Sequence, residues 1–426
     1  VRRARLLSII IFGLVILGFG TLHGGLLILA IPFVLYLGMG LYHRPETVRL
    51  KASRTLSAER VRRGAPATVL VRITNEGPGL ENLLLEDVVP AGLEVVDGSP
   101  GAMVSLQTGE TVVIEYTISG RRGYYRLPGL RATASEHLTL FQKQVELNLP
   151  GRIFVLPEVL RLPDVAIRPR RTRAYAGLIP ARKGGPGVEF FGVREYEPGD
   201  STRWLNHRAS ARFDQRLFVN EFEQERAVDV GLILDTRQAT NVYAGNRSLL
   251  EYSIQASATL ADALLTRGNR VGLFMHGGFV DWTFPGYGKV QRERILQALA
   301  RAQLQQSQVF EKLSYLPTRL FPIRSQLILV SPLRPNDLED LVSLRARGYQ
   351  LLIVSPDPVD FERRILGDGH QSDLAARLAR VERAHLFHQL GRAGIRVFGW
   401  SVDKPFNQTA RLALSRAPLW SRGPRG

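Results

Sequence analysis

Apolar and polar positions divide the chain into three textures. The first is two uncharged apolar runs, Leu6 to Leu22 and Gly25 to Tyr42, joined only by His23 and Gly24. Each is close to the ~17–25 residues that a helix needs to cross a bilayer. A cleaved signal sequence would have a single shorter apolar region and then a small-residue cleavage site. Here a second run follows at once, so the pattern predicts a retained transmembrane hairpin over 1–46, with spans at about 6–22 and 25–42. From 47 to 157 the period changes to short alternating segments, Thr68 to Thr74, Leu83 to Val89 and Thr111 to Ile118. They are broken by turn sequences at Asn75-Glu76-Gly77-Pro78-Gly79 and Pro90-Ala91-Gly92, which reads as an all-β sandwich of immunoglobulin type. From 228 to 415 strands alternate with helices. The strands are Val228 to Leu234, Arg270 to Met275, Gln326 to Ser331, Gln350 to Ser355 and Arg396 to Ser401. The helices are Leu249 to Arg267, Lys289 to Ala302, Asp337 to Arg347 and Leu374 to Ala393. That order predicts an α/β domain with a mostly parallel sheet covered on both faces.

Charge adds a direction. Arg2, Arg3 and Arg5 precede the first span, and Arg44, Arg49, Lys51 and Arg54 follow the second. By the positive-inside rule both ends of the hairpin, and the soluble domains after it, are expected on the cytoplasmic side of the cell's inner membrane. The formal net charge of +17 would suit nucleic acid or an anionic surface. Arginine is spread along the chain, including a basic tail over 416–426, so attraction to anionic lipid is the simpler account and nucleic acid is not expected as a partner. The absence of cysteine excludes disulfides, thiolate metal sites and a cysteine nucleophile.

Between the β and α/β regions, 158–227 begins with the basic run Arg168 to Arg173 and continues into a loop-rich stretch of Gly, Arg and acidic residues. Within it stand Glu189, Phe190, Gly192, Arg194, Tyr196, Pro198, Gly199, Asp200 and Arg203, then Ala209-Ser210-Ala211-Arg212. Planar guanidinium groups beside carboxylates favour bidentate pairs that can fold such a loop, and the same set could bind a phosphate or an acidic partner. The run resembles the signature of the DUF58 family, E-F-x-G-x-R-x-Y-x-P-G-D-x-x-R followed by A-S-A-R. It departs from that pattern at His207, where the family often has tryptophan. The resemblance implies a membrane-anchored scaffold or adaptor with a von Willebrand A-like terminal domain, acting with a MoxR-type AAA+ ATPase in the assembly or maturation of other proteins.

Ligands of parallel sheets bind beyond the carboxyl ends of the strands, where Asp235 and Ser331 fall. A working metal-ion-dependent adhesion site would carry D-x-S-x-S and a later aspartate, hard oxygen ligands suited to magnesium. Here Arg237 and Ala239 take the serine positions and Pro332 follows Ser331. A fixed guanidinium beside Asp235 favours an ion pair over a cation, so the crevice is read as degenerate: no metal, no cofactor and no magnesium held tightly. Gly286-Tyr287-Gly288-Lys289 lacks the spacing of a phosphate loop and reads as a turn before a helix. His385 and His388 share a helix face without a third zinc ligand, and Ser401 with Lys404 matches S-x-x-K without companion motifs. No catalytic residue is assigned. Two other classes stay open: an enzyme using carboxylates around Glu189, Asp200 and Asp235, and a protein that binds nucleic acid or anionic lipid.

Overall fold

The computed structural model describes the chain except residues 1, 46, 163–172, 214–215, 228, 245–246, 278–280, 305–311, 314–320, 322, 324, 367–368 and 415–426; side chains are further left undescribed at 2, 173–191, 222–227, 244, 364–366 and 412. The basic run at 168–172, with the side chain of residue 173, and the basic tail fall outside what is described. The chain divides into two compact units, Val1–Leu156 and Pro157–Gly426.

The first unit opens with α1 (Arg2–Gly20) and α2 (Gly24–Tyr42). Both are long and apolar enough to cross a membrane, and only 11% of each apolar window is buried. Their side chains, among them Ile9, Phe12, Phe19, Ile28 and Leu35, stay exposed, unlike those of a soluble core helix.

Nine strands follow: β1 (Leu50–Leu56), β2 (Arg60–Arg62), β3 (Ala67–Asn75), β4 (Leu80–Asp87), β5 (Leu93–Gly98), β6 (Gly101–Leu106), β7 (Thr111–Gly120), β8 (Gly123–Ser135) and β9 (Gln142–Leu156). They form two sheets, ordered β1-β3-β7-β5 and β2-β9-β8-β4-β6. Alternation decides which side chains face inward: Val69, Val71 and Ile73 of β3 and Ile114, Tyr116 and Ile118 of β7 meet Leu83, Leu85, Leu130 and Ala132 of the other sheet in one core. β4 ends at Asp87 rather than Val89; Asp87 faces inward with Leu83 and Leu85, where it accepts the Tyr116 hydroxyl and pairs with Arg54. Arg54 also donates to the carbonyls of Leu127 and Leu149. At the start of β8 the Tyr125 hydroxyl donates to the Arg121 carbonyl four residues back, at 2.9 Å.

The second unit begins with a correction. The stretch expected to be loop-rich carries β10 (Arg173–Glu195) and β11 (Phe218–Ala227), paired antiparallel as a two-stranded ribbon. Glycine and proline signal loops, but the ladder absorbs them at four register shifts between Ala174 and Gly192. Between the strands lies α3 (His207–Ser210).

The α/β body then follows in chain order: β12 (Asp229–Asp235), β13 (Tyr243–Ala244), β14 (Arg247–Ser248), α4 (Leu249–Thr266), β15 (Arg270–His276), β16 (Asp281–Gly286), α5 (Gly288–Arg301), β17 (Gln326–Val330), α6 (Asp337–Ala346), β18 (Gln350–Pro356), α7 (Pro358–Leu366), α8 (His370–Arg392), β19 (Arg396–Trp400) and α9 (Phe406–Leu414). The sheet order is β16-β15-β12-β17-β18-β19, parallel except for β16. The alternation read from sequence is therefore present, with β16, α7 and α9 added to it. Residues Ile233, Leu329 and Ile353 of the strands pack with Leu341, Leu344, Leu386 and Leu390 of α6 and α8. α4 packs against β12 and β15 and beside α5.

From β12 the chain steps first to β15 on one side and later to β17 on the other. The carboxyl ends of β12 and β17 thus flank the topological switch point, where open α/β sheets form a crevice.

Candidate functional site

Two constellations carry the residues singled out by sequence. The first is the loop between β10 and β11. Arg194 donates to Asp200 through both terminal nitrogens, at 2.7 and 2.6 Å, and to the Glu195 carbonyl at 3.0 Å. Asp200 also accepts the Glu197 amide at 2.8 Å. The hydrogen bonds from Arg194 and from that amide hold the Asp200 carboxyl below the usual carboxylate range. Gly199 adopts φ +112, a backbone state closed to most side chains, and Pro198 precedes it in the same tight turn. Asn206 caps α3 through Ala209 and donates to Asn220 of β11 at 2.7 Å. The Ser210 hydroxyl accepts the Phe218 amide at 2.8 Å. Tyr196 joins the base of the loop through its amide to the Leu217 carbonyl. Arg203, Trp204, His207, Arg208, Arg212, Phe213 and Leu217 are exposed. The signature thus builds a rigid loop with a basic and aromatic surface. Gly192 lies in β10, as do Glu189 and Phe190, whose side chains are outside the described residues.

The second constellation fills the switch-point crevice. Asp235, at the end of β12, accepts four hydrogen bonds: from the Arg237 amide (3.0 Å), Arg237 Nε (3.0 Å), Arg237 Nη2 (2.7 Å) and the Ser331 hydroxyl (2.6 Å). The same guanidinium turns its other edge to Asp337 at the start of α6, with Nη1 to Oδ1 at 2.8 Å and Nη2 to Oδ2 at 2.9 Å. Asp337 also accepts the Arg334 amide at 2.8 Å. Burial opposes charge on Asp235, yet the Arg237 charge and hydrogen bonds, with that of Ser331, hold its carboxyl below the usual range. Burial likewise opposes charge on Arg237, and the two aspartates overcome it, raising its pKa above the ordinary arginine value. Ser331 leads into a tight turn in which its hydroxyl accepts the Leu333 amide at 3.0 Å, and Leu333 takes φ +65. Strained positions of this kind cluster at functional sites.

Further residues complete the crevice. His276 ends β15 directly opposite Asp235 in register. Its carbonyl accepts from both the amide (2.7 Å) and the hydroxyl (2.9 Å) of Thr236. Its ring Nε2 is buried without a hydrogen-bond partner among the described residues. Burial pushes its pKa down. Arg383 of α8 donates to the carbonyls of Pro332 (2.7 Å), Ser355 (3.2 Å) and Pro356 (3.1 Å) and to the Ser355 hydroxyl (2.8 Å). Two guanidinium groups therefore hold the carboxyl ends of β12, β17 and β18.

The ion pair expected between Arg237 and Asp235 is present. The residues sequence reasoning missed are Asp337, His276 and Arg383. Asp337 had a local signal, an acidic first turn on a helix that follows a strand. Arg383 had none, standing mid-helix far along the chain. Among the described residues no recorded contact joins Arg194 or Asp200 to Asp235, so Asp200 and Asp235 occupy separate, arginine-bound settings; the Glu189 side chain lies outside the described residues. No group of three or more His, Cys, Asp or Glu suited to a metal occurs among the described residues. His385 and His388 are exposed on α8, and the Gly286 to Lys289 sequence is the turn into α5.

Similarity to known proteins is confined to parts of the chain. No curated protein matches the chain. Among solved structures, a CARDB domain from Pyrococcus furiosus is 21% identical over 26% of this chain and 92% of its own, with a TM-score of 0.18. A FixG-related protein from Vibrio parahaemolyticus is 11% identical over 25% of this chain and 95% of its own, also at 0.18. The cupredoxin domain of amoB from Nitrosocaldus yellowstonii is 13% identical over 30% of this chain and 99% of its own, at 0.19. Residues 192–371, which hold most of the signature and the whole Asp235–Arg237–Ser331–Asp337 crevice, match the model of the family described as protein of unknown function DUF58.

Proposed function

We propose that the chain is a membrane-anchored adaptor of DUF58 type, without catalytic chemistry of its own, that docks a MoxR-type AAA+ ATPase on the cytoplasmic face. In this reading the sandwich is an immunoglobulin-like spacer. The second unit is a von Willebrand A-like domain whose cation has been replaced by an arginine side chain. The observation that carries the proposal is the Arg237 guanidinium, chelated on one edge by Asp235 and on the other by Asp337. A buried guanidinium held by two carboxylates puts a fixed positive charge where a cation would sit and saturates the oxygens that would bind it. Such a crevice can order a docking surface, and its two carboxylates are saturated by Arg237, so neither is free to act as an acid or base. The signature loop supports the same reading: Asp200 is spent on holding the loop's conformation, and the exposed face offers Arg203, Arg208, Arg212 and Trp204 to an acidic partner.

The test is affinity purification of the full chain from native membranes. An AAA+ ATPase of MoxR type should come with it and be lost when Arg203 and Arg212 are reversed to glutamate. Retained ATPase in that variant, with an unchanged melting profile, would sink the assignment of the surface. Absence of any ATPase from the wild-type preparation would sink the partner.

A further inference from the structure

The first unit contains a cavity that the docking reading does not use. The loop from Glu136 to Phe141, between β8 and β9, is seated on the ends of the helical hairpin. Arg3 Nη1 donates to the Thr139 hydroxyl at 2.8 Å, and the Tyr36 hydroxyl donates to the Leu138 carbonyl at 3.4 Å. Leu140 packs so closely on Gly40 that a Cβ there would lie 2.8 Å from its Cδ1. Beside this contact lies a cavity of about 370 Å³ whose lining includes Tyr42, His43, Arg44, Glu81, Ser135 and Glu136.

The walls have two poles. At one, Glu136 is buried; its Oε1 accepts the amides of Leu140 (2.6 Å) and Phe141 (2.9 Å), while Oε2 has no hydrogen-bond partner among the described residues. A buried acceptor left unmade costs its desolvation, and a donor would recover it. Glu81, paired with His137 at 2.9 Å, adds a second carboxylate. At the other pole Arg44 extends over the Phe141 ring at 5.9 Å and is exposed. The cavity lies where α2 ends, which is headgroup depth if the hairpin spans a bilayer.

We infer that this cavity is a binding site for the headgroup of a primary-amine phospholipid, with the ammonium at Glu136 and Glu81 and the phosphate at Arg44 and His43. An ammonium brings three N–H donors to an acceptor that lacks one. A choline headgroup has the same charge but no N–H to give, and a glycerol headgroup has no positive charge. The inference rests on the anchoring part of the proposed function and is independent of the ATPase.

The full chain reconstituted in nanodiscs of phosphatidylglycerol mixed with either phosphatidylethanolamine or phosphatidylcholine tests it. Native mass spectrometry of the released protein should show about tenfold more retained phosphatidylethanolamine than phosphatidylcholine, the order expected for one charge-assisted hydrogen bond. Glu136→Gln keeps an oxygen for the Leu140 and Phe141 amides and should lose the preference. Should that variant not fold, Glu81→Gln, at an exposed position, should weaken the same preference. Arg44→Ala should lower retention of both lipids. Equal retention by the wild type, or an undiminished preference in well-folded Glu136→Gln, overturns the site. Protection of the Leu140 and Phe141 amides by soluble phosphoethanolamine without any lipid preference overturns the lipid as its source. Failure to associate with either bilayer overturns the anchoring and the site together, whereas loss of the ATPase alone leaves both standing.

Discussion

Two arginine–aspartate pairs of the second unit, each bidentate, differ in their access to water. In the signature loop the Arg194 and Asp200 side chains are 37% and 19% exposed, while in the crevice Arg237 and Asp235 are 7% and 0% exposed. The geometries are alike and the consequences are not. In the loop, water competes with the pair at all times, so the interaction chooses a conformation and adds little stability. In the crevice no water can replace a lost partner, so each charge depends on the others. A surface pair of this kind can exchange its partner for water; a buried chelate fixes the ends of β12 and α6 that it joins.

The largest expected effect sharpens that contrast. Arg237→Ala leaves Asp235 and Asp337 facing each other without a counter-charge, and the second unit should lose ~3–5 kcal/mol, lowering its melting temperature by roughly 10 °C. A shift no larger than that of a surface variant would break the distinction. Arg237→Ser goes one step further, opening a space bounded by Asp235, Ser331 and Asp337 oxygens, ligands suited to a hard cation. Its melting temperature should rise with millimolar magnesium while that of the wild type does not. Submicromolar magnesium binding by the wild type that vanishes in Asp235→Ala would overturn the view of Arg237 as the resident charge.

Acidity should separate the two places next. The Asp235 pKa is lowered in the folded state, so its contribution is complete above the unfolded value of about 3.9 and is lost as pH falls from there through the folded value. The His276 pKa is also lowered. Its neutral form is retained on folding, so stability from this site should begin to decline below the unfolded value of about 6.5. Denaturant titrations of the wild type and His276→Gln between pH 8 and pH 5 should differ in slope, with the variant flatter. Identical slopes would show that His276 does not titrate on unfolding. The smallest thermal effect is expected for Arg194→Ala, well below that of Arg237→Ala. Hydrogen exchange should nevertheless rise at the Glu197 amide, which loses an oriented acceptor in Asp200.

The parts legible in the sequence were those whose signals are periodic or local. The apolar runs, the inward alternation of Val69, Val71 and Ile73, and the βα alternation from Asp229 to Trp400 each repeat within a few residues. The β10–β11 ribbon was hidden because its register shifts let glycine and proline sit in a ladder that regular strands would exclude. The edge strand β16 was hidden because it is short, holds Pro285 and pairs antiparallel beside a parallel sheet. At the crevice, Asp235, Arg237 and Ser331 were visible as a broken motif. Their completion by Asp337 and Arg383 was not, since the partner of a buried charge is chosen by the sheet's crossovers and not by spacing along the chain.

The seating of the Glu136 to Phe141 loop on the hairpin also has a mechanical meaning. With Arg3, Tyr36 and Gly40 all engaged by one short loop, the sandwich is mounted on the helices like a mast stepped in a keel, where a flexible tether would have let it swing. In a bilayer, if the helices span one, a tilt of the helices would carry the sandwich with it, so bilayer thickness would become a variable that the first unit converts into orientation.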